Sequence, residues 1–166
     1  EEIKKFLKKY KKIVIKPIHG YGGKNILFVN KSINQIKVLN YIKKFGHIMV
    51  QKFISQVTKG DKRVFIINGL VKGAIQRVPR KGSFVSNLAQ GGKAIKTKLN
   101  YKELKISQIV AKHLKKSKIF FAGIDLVSNY LIGDINVTSP TGLKNFKDLS
   151  GINLAKDFWN NLEKLK

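Results

Sequence analysis

The chain has 166 residues and a formal charge of +25, with an ordinary apolar content, enough for one core or two small lobes. It has no cysteine, which excludes disulfides, thiolate metal sites and a catalytic thiol. No apolar run approaches a membrane span and no signal-peptide pattern stands at the start, so the expectation is a cytoplasmic protein.

Residues 1–12 carry Ile3, Phe6, Leu7 and Tyr10 at helical spacing among lysines, as at the end of a surface helix. Ile13-Val14-Ile15-Lys16-Pro17 follows as a strand, and Lys16 either snorkels at its end or points into a site. His19-Gly20-Tyr21-Gly22-Gly23-Lys24-Asn25 is a glycine-rich loop before a second strand, Ile26-Leu27-Phe28-Val29. Such glycines let backbone N–H groups close around phosphate oxygens. No helix opening on Gly-Lys-Ser/Thr follows, so the loop reads as a hairpin flap, or as a tight hairpin with no ligand, and not as a P-loop. Ser32 and Gln35 have capping-box spacing, which predicts a helix with Ile33, Ile36, Leu39 and Ile42 on its apolar side and Gly46 as its stop.

Ile48-Met49-Val50-Gln51-Lys52-Phe53-Ile54 reads as a strand whose end could hold a flat heterocycle, or as an ordinary edge strand. After Thr58-Lys59-Gly60-Asp61-Lys62-Arg63, the run Val64 to Ile67 meets Asn68-Gly69, the strongest hairpin signal in the chain, and returns from Leu70 to Arg77. Strict pairing sets Arg63 opposite Ala74 and puts Arg63 and Arg77 on opposite faces, as two solvated arginines. A bulge at Gly73 would bring both to one face and imply an anion between them. Residues 78–94 form a long irregular, glycine-bearing segment, a lid or a loose linker.

Tyr101 to Lys116 is a helix with Leu104, Ile106, Ile109, Val110 and Leu114 as its apolar residues, and His113 on its surface. Residues 119–136 form a hairpin turning at Ser128-Asn129, which would let Asp125, Asp134 and Asn136 meet. Three hard oxygen ligands suit magnesium; the alternative is a strand whose polar residues simply face water. Thr138-Ser139-Pro140-Thr141-Gly142 is a hydroxyl-rich loop, and residues 151–165 close the chain as a helix with Trp159 in the core. Helices covering mostly antiparallel sheets make an α+β fold in two lobes, with nucleotide expected between them.

The charge allows a second class of function, a basic nucleic-acid-binding module. Only Arg63, Arg77 and Arg80 of the 34 basic residues are arginines, and the lysines are scattered through every segment. Base readout favours arginine, so a solvated lysine surface is the preferred reading.

Lys16-Pro17 before Gly20-Tyr21-Gly22-Gly23, then Gly60-Asp61-Lys62-Arg63-Val64, Arg77-Val78-Pro79, Asn87-Leu88-Ala89-Gln90-Gly91-Gly92, Gly123-Ile124-Asp125 and Asp134-Ile135-Asn136-Val137-Thr138-Ser139-Pro140-Thr141 together resemble the ATP-grasp family, and within it prokaryotic glutathione synthetases. The resemblance covers essentially all of the chain and implies an ATP-grasp fold. Residues 1–50 would then be part of the central small lobe and 51–166 the C-terminal lobe. It implies ADP-forming carboxylate–amine ligation, in which ATP phosphorylates γ-glutamylcysteine and glycine attacks the acyl phosphate. Another carboxylate–amine ligase of the family is the alternative.

By position, the resemblance gives Lys16, Gly20, Gly22 and Gly23 to ATP phosphates, Gln51, Lys52, Phe53 and Ile54 to adenine, and Asp61 to the ribose side. Arg63 and Arg77 would stabilise the acyl phosphate and the intermediate. Asp125, Asp134 and Asn136 would bind Mg2+, or Mn2+. Asn87, Gly91 and Gly92 would close the site, with Val137, Thr138 and Ser139 near the peptide substrate. The family usually has Glu where Asp134 stands and an arginine near Val85. Its N-terminal substrate domain and a further upstream lysine have no counterpart, so the expectation is a fragment of a longer, homo-oligomeric enzyme that does not bind membranes.

Overall fold

The computed structural model describes residues 1–20, 24–82, 86–88, 91–127 and 130–164, with the backbone alone for 130–133. The chain divides into two compact units, Glu1–Ser55 and Gln56–Lys166. All strand pairs among the described residues are antiparallel, as the α+β reading expects.

The first unit holds helix α1 (Glu2–Tyr10), strands β1 (Ile13–Pro17) and β2 (Leu27–Val29), helix α2 (Gln35–Phe45) and strand β3 (Ile48–Lys52). The strands form one sheet in the order β2-β1-β3, so β3 is an edge strand. Gln51 and Lys52 pair with Val14 and Ile13, and the division of the chain therefore falls after them. Alternation along β1 buries Ile13, Ile15 and Pro17 on one face and leaves Val14 and Lys16 half-buried on the other.

Two expectations for α2 are corrected. Its N-cap is Asn34, whose side chain accepts from the Lys37 N–H at 3.0 Å, and not Ser32. The expected apolar side is largely outside, with Ile36 70%, Leu39 49% and Ile42 38% exposed, while Tyr41 is buried. The helix is apolar on most sides, so spacing alone cannot choose the inward stripe. Gly46 ends the helix as expected, with its N–H on the Ile42 carbonyl.

The second unit is a five-stranded sheet, order β6-β5-β4-β7-β8, built from β4 (Asp61–Ile67), β5 (Leu70–Val78), β6 (Lys93–Lys96), β7 (Phe121–Val127) and β8 (Tyr130–Asn136). The β4–β5 turn has Asn68 at φ 49° and Gly69 at φ 73°, the mirror-image turn that the dipeptide predicts. Helix α3 (Tyr101–Lys116) packs on the face of Val64, Ile66, Ala74, Ile124 and Leu126 through Ala111 and Leu114. The opposite face, with Phe65, Ile67 and Ile75, is covered by Phe146 and Leu154 of α4 (Leu143–Ser150) and α5 (Leu154–Glu163).

The sequence reading assigns no element to 143–150, where α4 lies, and treats 93–94 as the end of the irregular segment, where β6 begins. On α3 the inward positions include Glu103, Ser107, Ala111 and Leu114, whereas Leu104 and Ile109 face outward. His113 is exposed, as expected. Trp159 is 60% exposed and is not core. The inward stripe of α5 runs through Leu154 and Phe158, and the next residue is rotated about 100° away from it.

Candidate active site

Four charged side chains share one face of the second unit's sheet. The β4–β5 register slips between Phe65 and Ile66, with Gly73 opposite Phe65, so Arg63 faces Ile75 and Asp61 faces Arg77. At Gly73 φ is +156° and an added Cβ would lie 2.5 Å from the Phe146 ring, which explains glycine at the bulge. The slip moves Arg77 onto the face of Arg63, and on β7 Arg63 faces Asp125. This is the face that carries Phe65 and Ile67 further along β4, so the charges continue a core face toward the strand ends.

The expectation of two solvated arginines is overturned: Arg63 and Arg77 are each 4% exposed. Arg63 binds Asp125 through Nε at 2.5 Å and Nη2 at 3.0 Å, and its Nη1 donates to the Thr141 carbonyl at 3.3 Å. Arg77 binds Asp61 through Nε at 2.6 Å and Nη2 at 2.8 Å, and Nη2 also lies 2.9 Å from Asp125 Oδ2. The order Asp61–Arg77–Asp125–Arg63 thus alternates in sign, and the anions implied by the paired arginines are the chain's own carboxylates. Burial alone would lower the Arg77 pKa; the Asp125 charge and the bonds to Asp61 overcome it and hold that pKa above the ordinary arginine value.

Gly123 makes room for this arrangement. A Cβ there would fall 2.9 Å from Arg63 Cδ and 2.9 Å from Pro140 Cβ. A glycine inside an apolar strand is the sequence signal of such a close approach. Sequence reasoning missed the Thr141 carbonyl and also Ser86, whose hydroxyl donates to Asp61 Oδ2. Neither carries a local pattern, since both partners are distant in the chain.

Of the expected metal ligands, Asp125 is 3% exposed and Asp134 is exposed. The β7–β8 register shifts opposite Asp125, so Asn136 pairs with Gly123 and lies on the face of Asp125. Its Nδ2 donates to the Gly123 carbonyl at 3.3 Å. Asp125 already receives three N–H groups, and a carboxylate has about four lone-pair positions, so one remains. The three expected ligands would offer two carboxylates and an amide, all hard oxygens; among the described residues no group of three or more His, Cys, Asp or Glu gathers as a metal site. The expected turn at Ser128-Asn129 lies outside the described residues.

In the first unit, Val14 pairs with both Phe28 and Gln51, and Lys16 with Met49, so Lys16, Gln51 and Phe28 share one face. Phe53 meets Phe28 edge-on at 4.7 Å, and its N–H donates to the Lys12 carbonyl at 2.9 Å. Lys52 lies on the other face, with Nζ 5.8 Å from the Tyr10 ring. Ile54 is half-buried, and Gly20 sits exposed after β1; Gly22 and Gly23 lie outside the described residues.

In the segment after β5, Gly92 N–H donates to the Asn87 carbonyl and Gly91 N–H to the Leu88 carbonyl, each at 3.1 Å. Positions 83–85 and 89–90, with Phe84 and Val85, lie outside the described residues. Val137, Thr138 and Ser139 are exposed just beyond β8. With two of the three arginines buried in ion pairs, Arg80 alone of the side chains best suited to base readout is exposed. No helix among the described residues is long and apolar enough to cross a membrane.

Comparisons with known proteins agree with this layout. Glutathione synthetase of Prochlorococcus marinus subsp. pastoris is 44% identical over 141 residues, covering 83% of this chain and 46% of that one. That of Mesorhizobium japonicum is 34% identical, covering 98% and 52%. The chain spans about half the length of the curated relatives it matches. The solved ATP-grasp ligase PsnB complexed with minimal precursor shares the fold at a TM-score of 0.69 and 15% identity, over 99% of this chain and 52% of that one. D-alanine–D-alanine ligase from Bacillus anthracis complexed with ATP does so at 0.62 and 18%, over 90% and 51%. The family model for the ATP-grasp domain of prokaryotic glutathione synthetase matches residues 1–151, and the chain belongs to that family.

Proposed function

We propose that this chain is the ATP-binding part of an ADP-forming carboxylate–amine ligase that joins glycine to γ-glutamylcysteine through an acyl phosphate. It would act in the cytoplasm and as a homo-oligomer when the rest of the enzyme is present. The observation that carries the reading is the buried pair Arg63 and Arg77, held on one sheet face by Asp61 and Asp125. Phosphorylating a carboxylate brings two anions together, and fixed guanidinium groups stabilise the charge that builds up there. Arginines already locked by paired carboxylates need no reorganisation as that charge develops. The neighbouring relatives named glutathione synthetase support glycine and γ-glutamylcysteine as substrates.

In this reading Lys16 with Gly20, Gly22 and Gly23 serves the phosphates. Gln51, Lys52, Phe53 and Ile54 serve the adenine, with Lys52 contributing backbone groups because its side chain is on the other face. Asp61 stands toward the ribose side while holding Arg77. Asn87, Gly91, Gly92 and Val137, Thr138 and Ser139 line the peptide-acid side. The oxygens of Asp125, Asp134 and Asn136 fit a hard divalent cation, and would hold Mg2+, or Mn2+, which supplies charge neutralisation of the nucleotide phosphates.

The test is ADP release with ATP, γ-glutamylcysteine and glycine, run on this chain and on a longer chain carrying the upstream region. ADP formation that needs both acceptor substrates and a divalent cation is the expected result in the longer chain. ADP formation only when two D-alanine molecules replace those substrates would reassign the protein to another carboxylate–amine ligase. No ATP-dependent reaction in either length would overturn the ligase reading.

A further inference from the structure

We propose that Ser86 is a positioning residue that anchors residues 86–88, and through them Gly91 and Gly92, to the arginine pair through the Asp61 carboxylate. The inference rests on the ligase reading, because it acts through Arg77. Asp61 Oδ2 receives two donors at once, Arg77 Nη2 at 2.8 Å and the hydroxyl of Ser86, which lies 25 residues further along the chain than Asp61. Asp61, Arg77 and Ser86 are 5%, 4% and 5% exposed, so water does not compete for that oxygen. The other end of the loop is tied to the same point. A Cβ on Gly92 would fall 2.3 Å from the Ser86 carbonyl oxygen, and the Gly92 N–H bonds Asn87. Leu88 packs against the core cluster of Phe65 and Ile75, and Arg80 Nε reaches the Gly91 carbonyl at 3.3 Å.

The carboxylate fork fixes the plane of the Arg77 guanidinium, and that plane delivers Nη2 to Asp125. One oxygen thus couples the seat of the loop to the orientation of Arg77. A hydroxyl is suited to this post: it donates one bond to an ionised acceptor without adding a charge to a cluster already balanced at two and two. Ser86 touches no reacting atom in this arrangement; its effect passes through Asp61.

The experiment compares the wild-type chain with Ser86→Ala, in the length that is active in the ADP assay. The expected result is a fall in kcat of about tenfold, the loss of one hydrogen bond to a charged group, larger than any rise in KM for ATP passed on through Asp61. Amide hydrogen exchange at Gly91 and Gly92 accelerates by a similar factor. The chain has three arginines, so arginine Nε–Hε NMR signals resolve them; the Arg77 signal shifts and the Arg80 signal does not. Unchanged exchange and an unchanged Arg77 signal would overturn the anchor. So would a higher KM for ATP at constant kcat, which would make Ser86 part of the nucleotide site. If the wild-type chain releases no ADP in either length, the ligase reading fails, while exchange and NMR still decide whether Ser86 holds the loop.

Discussion

At the residue scale, the centre of the candidate site is a set of charges that are costly when unpaired. Asp125 pairs with both Arg63 and Arg77 away from water. Removing one partner from a buried pair leaves an uncompensated charge, and that penalty exceeds the net worth of the pair. Asp125→Asn keeps the shape and removes the charge, so it should cost about 3–5 kcal/mol of stability, read from urea unfolding. A loss under about 1 kcal/mol, the level of a surface pair, would show that water reaches the cluster. Arg63, Arg77 and Asp125 were legible as candidates from the sequence, because charged residues interrupt apolar strands there. Their mutual pairing was not, because it depends on a one-residue slip at Gly73 that the alternation alone leaves open.

At the element scale, capping shows how local pattern and fold divide the work. Asn100 and Glu103 form a reciprocal box at the start of α3: Asn100 Oδ1 accepts from Glu103 N–H at 3.0 Å, and Glu103 Oε2 accepts from Asn100 N–H at 2.8 Å. The same Glu103 oxygen holds Lys62 Nζ at 2.8 Å, which ties the helix start to β4. Asn100→Ala should therefore cost about 1 kcal/mol, with a lower urea midpoint and an unchanged slope. An unmoved midpoint would mean that the Lys62 tie alone holds the helix start. The sequence carries the Asn100–Glu103 spacing plainly, yet the same spacing at Ser32–Gln35 makes no cap, because the adjacent Asn34 takes the role. Spacing identifies candidates; the direction from which the chain enters the helix chooses between them.

At the scale of the whole molecule, charge is the dominant feature. Only nine acidic residues stand against 34 basic ones, and Asp61, Glu103 and Asp125 are buried with cationic partners. The surface is left more one-sided than the composition states, and like charges repel in the folded state. Added salt screens that repulsion, since the Debye length falls from about 30 Å at 0.01 M to about 10 Å at 0.1 M. Thermal unfolding followed between those concentrations should move upward by roughly 2–4 °C, equivalent to about 1 kcal/mol for a chain of this size. A downward shift would show that surface ion pairs outweigh the repulsion.

The sequence by itself determined the α+β class, most strands, the Asn68-Gly69 turn, the extent of α3 and the family, because these rest on period, turn chemistry and motif order. It did not determine which way α2 faces, that Trp159 lies outside, or that 143–150 is a helix. Those depend on which of several apolar positions finds a neighbour. Only the tertiary structure decided that Arg63 and Arg77 are locked between Asp61 and Asp125, and that Ser86 and Thr141 join them. The physical reason is common to all of these: a buried charge takes its partners from strands and loops far away in sequence, so Gly73 offered the register shift only as an alternative, and no local pattern encodes a returning loop.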